Sequence, residues 1–130
     1  MISMSRLVTT LAFMFALATL SAAGEHGKST NLGNGADFKG KKIEMKDKGE
    51  VAYVLSFKAN KEFEATTDAA KNTDVNLYVY DEAGKQVGKD DSPGPKCSVK
   101  VTPPTDGKYK FVITNTGGEN TVTFNIKVAE

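Results

Sequence analysis

Apolar residues recur at every second position along most of the chain beyond residue 42. In an extended strand successive side chains point to opposite faces, so this period of two predicts strands with one buried side and one solvent-facing side. The alternating runs begin at Ile43, Val51, Phe63, Val75, Cys97, Tyr109 and Val122, with a shorter strand near Gln86. We therefore predict an all-β fold, an antiparallel two-sheet β-sandwich of jelly-roll-like type with about seven to eight strands.

The alternation also predicts which side chains form the core. Pro103 and Pro104 end one strand because proline cannot donate to a strand ladder. Asp106 and Gly107 then form a turn, after which Tyr109 points back into the core. The central buried positions are predicted to be Val75, Leu77, Val79, Cys97, Val99, Val101, Tyr109, Phe111 and Ile113.

The first residues have the pattern of an export signal. Arg6 is followed by the uncharged run Leu7–Leu20, and Ser21–Ala23 supply the small residues that a signal peptidase reads. The apolar run is shorter than the roughly twenty residues that span a bilayer, so we predict no stable membrane insertion. Residues 1–23 are thus predicted to be a signal peptide that is cleaved near Ala23, which makes the protein secreted or periplasmic.

The segment over residues 24–41 is rich in Gly, Asn, Ser and Lys and poor in apolar residues. Such a composition is typical of a flexible tether rather than of a packed element. The sequence therefore predicts three parts: the signal peptide at 1–23, a flexible tether at 24–41 and one sandwich domain at 42–130.

Charge and residue usage disfavour nucleic acid as a partner. The chain has 17 Lys plus Arg against 16 Asp plus Glu, and Arg6 is its single arginine. Because Arg6 falls in the predicted signal peptide, the exported part has balanced charge and no guanidinium group for bidentate phosphate contacts. It also lacks the positive field that nucleic-acid binding needs.

The chain lacks the residues that common catalytic sites require. His26 is the single histidine and lies in the predicted tether, so no histidine can pair with a serine or with Cys97 inside the domain. A lone cysteine forms no internal disulfide, and a zinc site made of several His or Cys is ruled out. Cys97 shares a predicted strand face with Val99 and Val101, which indicates a small buried apolar residue. We predict that the protein is not an enzyme.

Three short phrases resemble the bacterial pre-peptidase C-terminal domain. They are the strand Asp74–Asp81, the strand entry Gly107–Tyr109, and Val112 followed by Asn115 and Gly117. The resemblance implies a small β-sandwich that is appended to secreted enzymes and surface proteins and helps with substrate adhesion or secretion. Members of the family bind collagen or insoluble polysaccharide, and some bind calcium through acidic residues near the amino-terminal edge.

A second set of phrases resembles the Golgi-dynamics (GOLD) domains of cargo receptors. The matching segments are Val79–Asp81 with Gly84, Gly107–Phe111 and Val122–Ile126. This more distant resemblance implies the same kind of sandwich but a structural or protein–protein interaction role without a small ligand.

Calcium is the one cofactor for which the sequence offers candidate ligands. Ca²⁺ takes six to eight oxygen ligands, which turns and strand ends supply readily. Asp74 and Asn76 lie at one predicted strand entry, and Asp90 and Asp91 lie in a turn. The alternative is that these residues form ordinary turns, in which side-chain oxygens accept hydrogen bonds from nearby backbone N–H groups.

Tyr78 and Tyr80 are the candidate ligand-binding residues. They have the opposite parity from Val75, Leu77 and Val79, so they are predicted to project from the solvent-facing side of one sheet. Two rigid aromatic rings there can stack on a sugar ring or a peptide. The alternative is cross-strand packing, in which each ring covers a lysine stem or a threonine.

These observations predict an exported, non-catalytic binding or accessory module that mediates adhesion to an extracellular protein or polysaccharide surface. The alternative is a structural or protein–protein interaction domain of GOLD-like type. The sequence leaves the oligomeric state open.

Overall fold

The computed structural model describes residues 29–130, which contain nine strands and one short 3-10 turn. The strands are β1 (Ser29–Asn34), β2 (Lys41–Met45), β3 (Glu50–Phe57), β4 (Phe63–Asp68), β5 (Val75–Tyr80), β6 (Gln86–Asp90), β7 (Cys97–Val101), β8 (Gly107–Asn115) and β9 (Asn120–Val128). The 3-10 turn spans Gly35–Asp37 between β1 and β2. No helix among these residues has the length and apolar character needed to cross a membrane.

The strands form two sheets, in the orders β1-β3-β8-β5-β6 and β2-β9-β4-β7. All neighbours pair antiparallel except β1, which runs parallel to β3 at one edge. Without β1, the remaining eight strands have the order of a jelly roll, in which the chain passes repeatedly from one sheet to the other. The predicted two-sheet sandwich is confirmed, with more strands than the pattern alone indicated.

The core lies between the sheets and is dominated by aromatic rings. Phe57 stacks on Phe63 with ring centroids 4.0 Å apart, and Phe111 contacts Phe124 at 5.5 Å. Nine residues were predicted to be central, and all but one of them are buried; Val101, at the end of β7, is half-buried against the same cluster. Tyr109 points inward as predicted, and Pro103 at the corner is fully buried.

The flexible tether predicted over residues 24–41 is wrong for the part that the structure describes. Ser29–Asn34 pair with the edge of β3, and Leu32 packs against the core. Gly35 is buried, and the ring of the half-buried Phe38 lies 5.4 Å from that of Phe124, so these residues hold the 3-10 turn against the sandwich. Backbone pairing needs no apolar alternation, which is why a polar segment forms a strand here. The predicted signal peptide at 1–23 and His26 lie outside the described residues.

Candidate functional site

The outer faces of the two sheets differ in chemical character. On the four-stranded sheet, every outward position of the strand interiors is polar or charged, and none carries an apolar side chain. These positions are Lys42, Glu44, Glu64, Thr66, Asp68, Ser98, Lys100, Thr121, Thr123, Asn125 and Lys127. This face is the ordinary solvated side of an antiparallel sheet.

The outer face of the five-stranded sheet instead carries a group of apolar and aromatic residues, which we call the tyrosine face. Its members are Ala52, Val54, Tyr78, Tyr80 and Val112. The strand register sets Val112 directly opposite both Ala52 and Tyr78. In the next row, Lys110 lies between Val54 and Tyr80. The five residues are therefore neighbours on three adjacent strands.

The tyrosine face lies on the side of the sheet away from the core. Ala52 is 3% exposed and Val112 is 4% exposed, yet neither belongs to the core cluster between the sheets. Tyr78, Tyr80 and Val54 are half-buried around them. The face thus has a buried apolar floor with two tyrosine rings that remain partly open to solvent.

The electrostatic surroundings keep the Tyr80 phenol neutral. Burial raises the pKa of Tyr80, and the nearby Tyr78 and Glu50 raise it further because they disfavour a second negative charge. A neutral phenol both donates and accepts hydrogen bonds at physiological pH. Lysines lie beside the rings as well, since Lys89 pairs with Tyr78 and Lys110 with Tyr80. The binding role of Tyr78 and Tyr80 stays a prediction, as does its alternative of cross-strand packing.

A small groove of about 170 Å³ opens beside Tyr80. Its lining combines Val54, Gly84 and Tyr109 with four charged residues, which are Asp81, Glu82, Lys108 and Lys110. Neither lysine forms an ion pair with any residue between 29 and 130. The groove therefore combines apolar side chains with charged groups of both signs, an arrangement that suits an amphipathic ligand group.

The residues predicted as calcium ligands are engaged in other contacts. Asp74 Oδ1 accepts a hydrogen bond from the Gly94 N–H at 3.1 Å. The Asp90 carboxylate accepts from the Ser92 N–H at 3.1 Å and from the Ser98 N–H at 2.9 Å. The hydrogen bond from the Ser92 side chain is the main cause that lowers the pKa of Asp90.

The remaining two candidates do not complete a metal site with these aspartates. Asp91 pairs with Lys89 at 3.3 Å, and Asn76 lies on the outer face, where its Oδ1 is buried and accepts no hydrogen bond within the described residues. No three His, Cys, Asp or Glu side chains between residues 29 and 130 come together as a metal site. Calcium binding by Asp74, Asn76, Asp90 and Asp91 stays a prediction, which the clustering of acidic side chains within residues 29–130 does not support.

Cys97 is a structural residue. It is free and only 3% exposed, and its Sγ donates to the Val75 carbonyl oxygen at 3.0 Å. Burial raises the pKa of the thiol, which keeps it protonated. Residues 29–130 contain no histidine that could act as its activating base.

Sequence reasoning missed Ala52, Val54 and Val112. The signal was present: Val51–Leu55 and Phe111–Ile113 are apolar at consecutive positions, which breaks the alternation. A strand that is apolar at both parities has an apolar residue on each face. Such runs point to a second covered or binding surface outside the core.

The chain is similar to solved structures in fold. No family model matches the chain, and no curated protein matches it in sequence. The pre-peptidase C-terminal domain of a collagenase from Bacillus anthracis has a TM-score of 0.58 at 12% identity, covering 77% of this chain and 95% of that chain. The surface-associated copper-binding protein CorA from Methylomicrobium album BG8 has a TM-score of 0.59 at 11% identity, covering 78% of this chain and 100% of that one.

A third similar structure is PliG from Aeromonas hydrophila, a periplasmic inhibitor of g-type lysozyme. Its TM-score is 0.54 at 14% identity, covering 78% of this chain and 99% of that chain. At these identities the likenesses establish the fold. The chain is a β-sandwich of the kind found in pre-peptidase C-terminal domains, and that resemblance, predicted from three short phrases, is confirmed.

Proposed function

We propose that this protein is an exported, non-catalytic binding module that adheres to an extracellular protein or polysaccharide through the tyrosine face. One observation carries the proposal: the two outer faces of the sandwich differ, and only the five-stranded sheet places aromatic and apolar residues outward within residues 29–130. A contiguous outward patch of this kind is typical of an interaction surface.

The chemistry of the face suits a ligand with one apolar side and several polar groups. The rings of Tyr78 and Tyr80 offer rigid area that loses little side-chain entropy on binding. Lys108 and Lys110 at the groove rim supply donors for hydroxyl, carbonyl or carboxylate oxygens. Sugar rings and extended peptides both have such mixed surfaces.

The similar structures support the same class of function without specifying the ligand. One is a domain of a collagenase, one is an inhibitor of lysozyme and one is a surface-associated copper-binding protein. PliG is described as periplasmic and CorA as surface-associated, which supports the export that residues 1–23 predict.

Retention on insoluble material tests the proposal. The purified protein is mixed with collagen, chitin and cellulose in parallel, and the bound fraction is compared with that of Tyr78→Ala. Thr123→Ala is the matched control, because Thr123 is an outward residue on the opposite sheet. We expect retention on at least one material, loss of retention in Tyr78→Ala and no loss in Thr123→Ala.

Two results contradict the adhesion proposal. Equal retention of the parent and of Tyr78→Ala would show that another surface binds. No retention on any of the three materials would instead favour the protein–protein interaction role that the GOLD-like resemblance implies.

A further inference from the structure

The two sheets together have four edge strands, and both edges of the five-stranded sheet are irregular. β1 and β6 end that sheet, and β2 and β7 end the four-stranded sheet. The pairing of β1 with β3 shifts register between Asn31 and Gly33, and the pairing of β6 with β5 carries an extra residue at Val87. Bulges of this kind interrupt an edge strand and discourage a further strand from pairing with it.

The free edge of β7 is blocked by a side chain. The Asp90 carboxylate accepts a hydrogen bond from the Ser98 N–H at 2.9 Å. Because Asp90 ends β6, this bond lies on the side of β7 away from β4, where an added strand would need the same donor. β6 also packs closely on β7, since a Cβ on Gly88 would lie 2.5 Å from Val99 Cγ1. β7 therefore presents no open edge.

The edge of β2 is regular by comparison. β2 pairs with β9 from Lys41 opposite Phe124 to Met45 opposite Asn120 without a shift of register. In the described part of the chain, no side chain forms a hydrogen bond with the backbone of residues 41–45. Every second residue of an edge strand directs its N–H and C=O groups away from the sheet. β2 thus presents a regular row of backbone donors and acceptors.

Lysines are concentrated around this edge. Residues 39–48 contain five lysines and two acidic residues, and all five lysines are exposed. None of these lysines forms an ion pair with another residue in the part of the chain that the structure describes. Glu44 accepts a hydrogen bond from the Thr121 hydroxyl at 3.1 Å instead of pairing with a lysine. Although the chain as a whole is nearly neutral, the free edge of β2 is positively charged.

The lysines determine which strands can pair with β2. A second copy of β2 would bring lysines close to lysines, and like charges on neighbouring strands are destabilising. A strand with acidic side chains instead forms opposite-charge pairs with the same lysines. Lysines on an edge thus disfavour self-association and favour a partner of opposite charge.

The two faces of β2 set the side-chain pattern of such a partner. Ile43 and Met45 are buried toward the other sheet, whereas Lys42 and Glu44 are exposed on the outer face. An added strand continues both faces, so its inward side chains lie beside Ile43 and Met45 and its outward side chains lie beside Lys42. A strand in which acidic and apolar residues alternate matches both faces.

We propose that the free edge of β2 binds an extended acidic peptide by strand addition, with acidic and apolar residues alternating along the peptide. Backbone hydrogen bonds with β2 supply affinity, and the lysines within residues 39–48 select the acidic sequence. β2 belongs to the four-stranded sheet, so this site is separate from the tyrosine face and does not depend on adhesion through it.

Fluorescence polarisation with synthetic peptides tests the proposal. The probe is a fluorescein-labelled peptide of alternating glutamate and valine that is long enough to cover residues 39–48. One comparison peptide alternates lysine with valine, and the other is the acidic peptide with every backbone amide N-methylated. The N-methylated peptide keeps the charge but cannot donate backbone hydrogen bonds. We expect the acidic peptide to bind and both comparison peptides to bind at least about tenfold more weakly.

Matched lysine variants locate the binding edge. Lys42→Gln/Lys46→Gln and Lys100→Gln/Lys127→Gln each remove two exposed lysines, so the two proteins have the same net charge. The first pair lies at β2, whereas Lys100 lies on β7 and Lys127 lies beyond the part of β9 that pairs with β2. We expect the dissociation constant for the acidic peptide to rise roughly threefold to tenfold in the first variant and to stay unchanged in the second.

Hydrogen exchange measured by mass spectrometry identifies strand addition directly. Backbone amides that gain a hydrogen-bond partner exchange more slowly, so the acidic peptide should slow exchange within residues 41–45. Tyr78→Ala should bind the acidic peptide as the parent does, which separates this site from the tyrosine face.

Three results would overturn the proposal. The first is no binding of the acidic peptide at low ionic strength. The second is equal binding of the N-methylated peptide, which would show that the lysines attract charge without strand addition. The third is slowed exchange confined to β1, β6 or β7, which would place the peptide on another edge.

Discussion

At the scale of single residues, the alternation of positions along a strand predicts which side chains are buried and which face solvent. Cys97 was predicted to be buried because it alternates with Val99 and Val101, and the structure confirms that placement. Parity also placed Tyr78 and Tyr80 outward, where they are. It could not identify Ala52 and Val112 as their neighbours, because register across strands depends on contacts that are distant in sequence.

Because the Cys97 thiol is buried, the free energy of unfolding is expected to fall at alkaline pH. Burial raises the pKa of Cys97, so the unfolded chain loses this proton at a lower pH than the folded chain does. The folded state then binds more protons, and the free energy of unfolding falls as the pH rises past the ordinary thiol pKa. Melting temperatures measured from about pH 7 to pH 10 should decline more steeply for the parent than for Cys97→Ala. Parallel declines in the two proteins would contradict this assignment.

At the scale of elements, alternation predicted β2 to β5 and β7 to β9 because each has a buried face, whereas β6 has no buried residue and was predicted from the tight turn before it. β1 has no such face, since only Leu32 is half-buried and its backbone supplies the pairing. A polar strand of this kind carries no hydrophobic period, so composition alone indicated a tether. β1 pairs parallel to β3 at one edge of the five-stranded sheet, and no local sequence pattern specifies this pairing.

Buried side chains on the central strands β5 and β8 are expected to contribute strongly to the free energy of unfolding. Leu77 and Phe111 are fully buried on these neighbouring strands. Leu77→Ala or Phe111→Ala should cost about 2–5 kcal/mol, because each removes apolar contacts and leaves a cavity. Thr66→Ala, outward on β4, should change the free energy of unfolding by less than about 1 kcal/mol. Thermal melts that place either core variant within a degree or two of the parent would refute the account of the core.

At the scale of the whole molecule, calcium binding can be tested through its effect on the melting temperature. Asp74 and Asp90 use their carboxylates to hold the loops around β6 and β7, and residues 29–130 contain no group of three His, Cys, Asp or Glu side chains suited to a metal ion. We therefore expect millimolar calcium to leave the melting temperature unchanged. Asp90→Ala should lose about 1–2 kcal/mol with or without the ion, because it removes hydrogen bonds to Ser92 and Ser98. A calcium-dependent rise in the melting temperature that a chelator reverses would establish a site and contradict this expectation.

The two unlike outer faces of the molecule are expected to differ in ligand binding. An adsorption isotherm on the material that retains the parent measures this most directly, with the double variant Tyr78→Ala/Tyr80→Ala set against Thr66→Ala/Thr123→Ala. Losing two aromatic contacts of roughly 1 kcal/mol or more each should weaken adsorption at least about tenfold, while the threonine pair leaves it unchanged. Equal affinity of the tyrosine double variant and the parent, with both proteins folded, would contradict the claim that the tyrosine face binds.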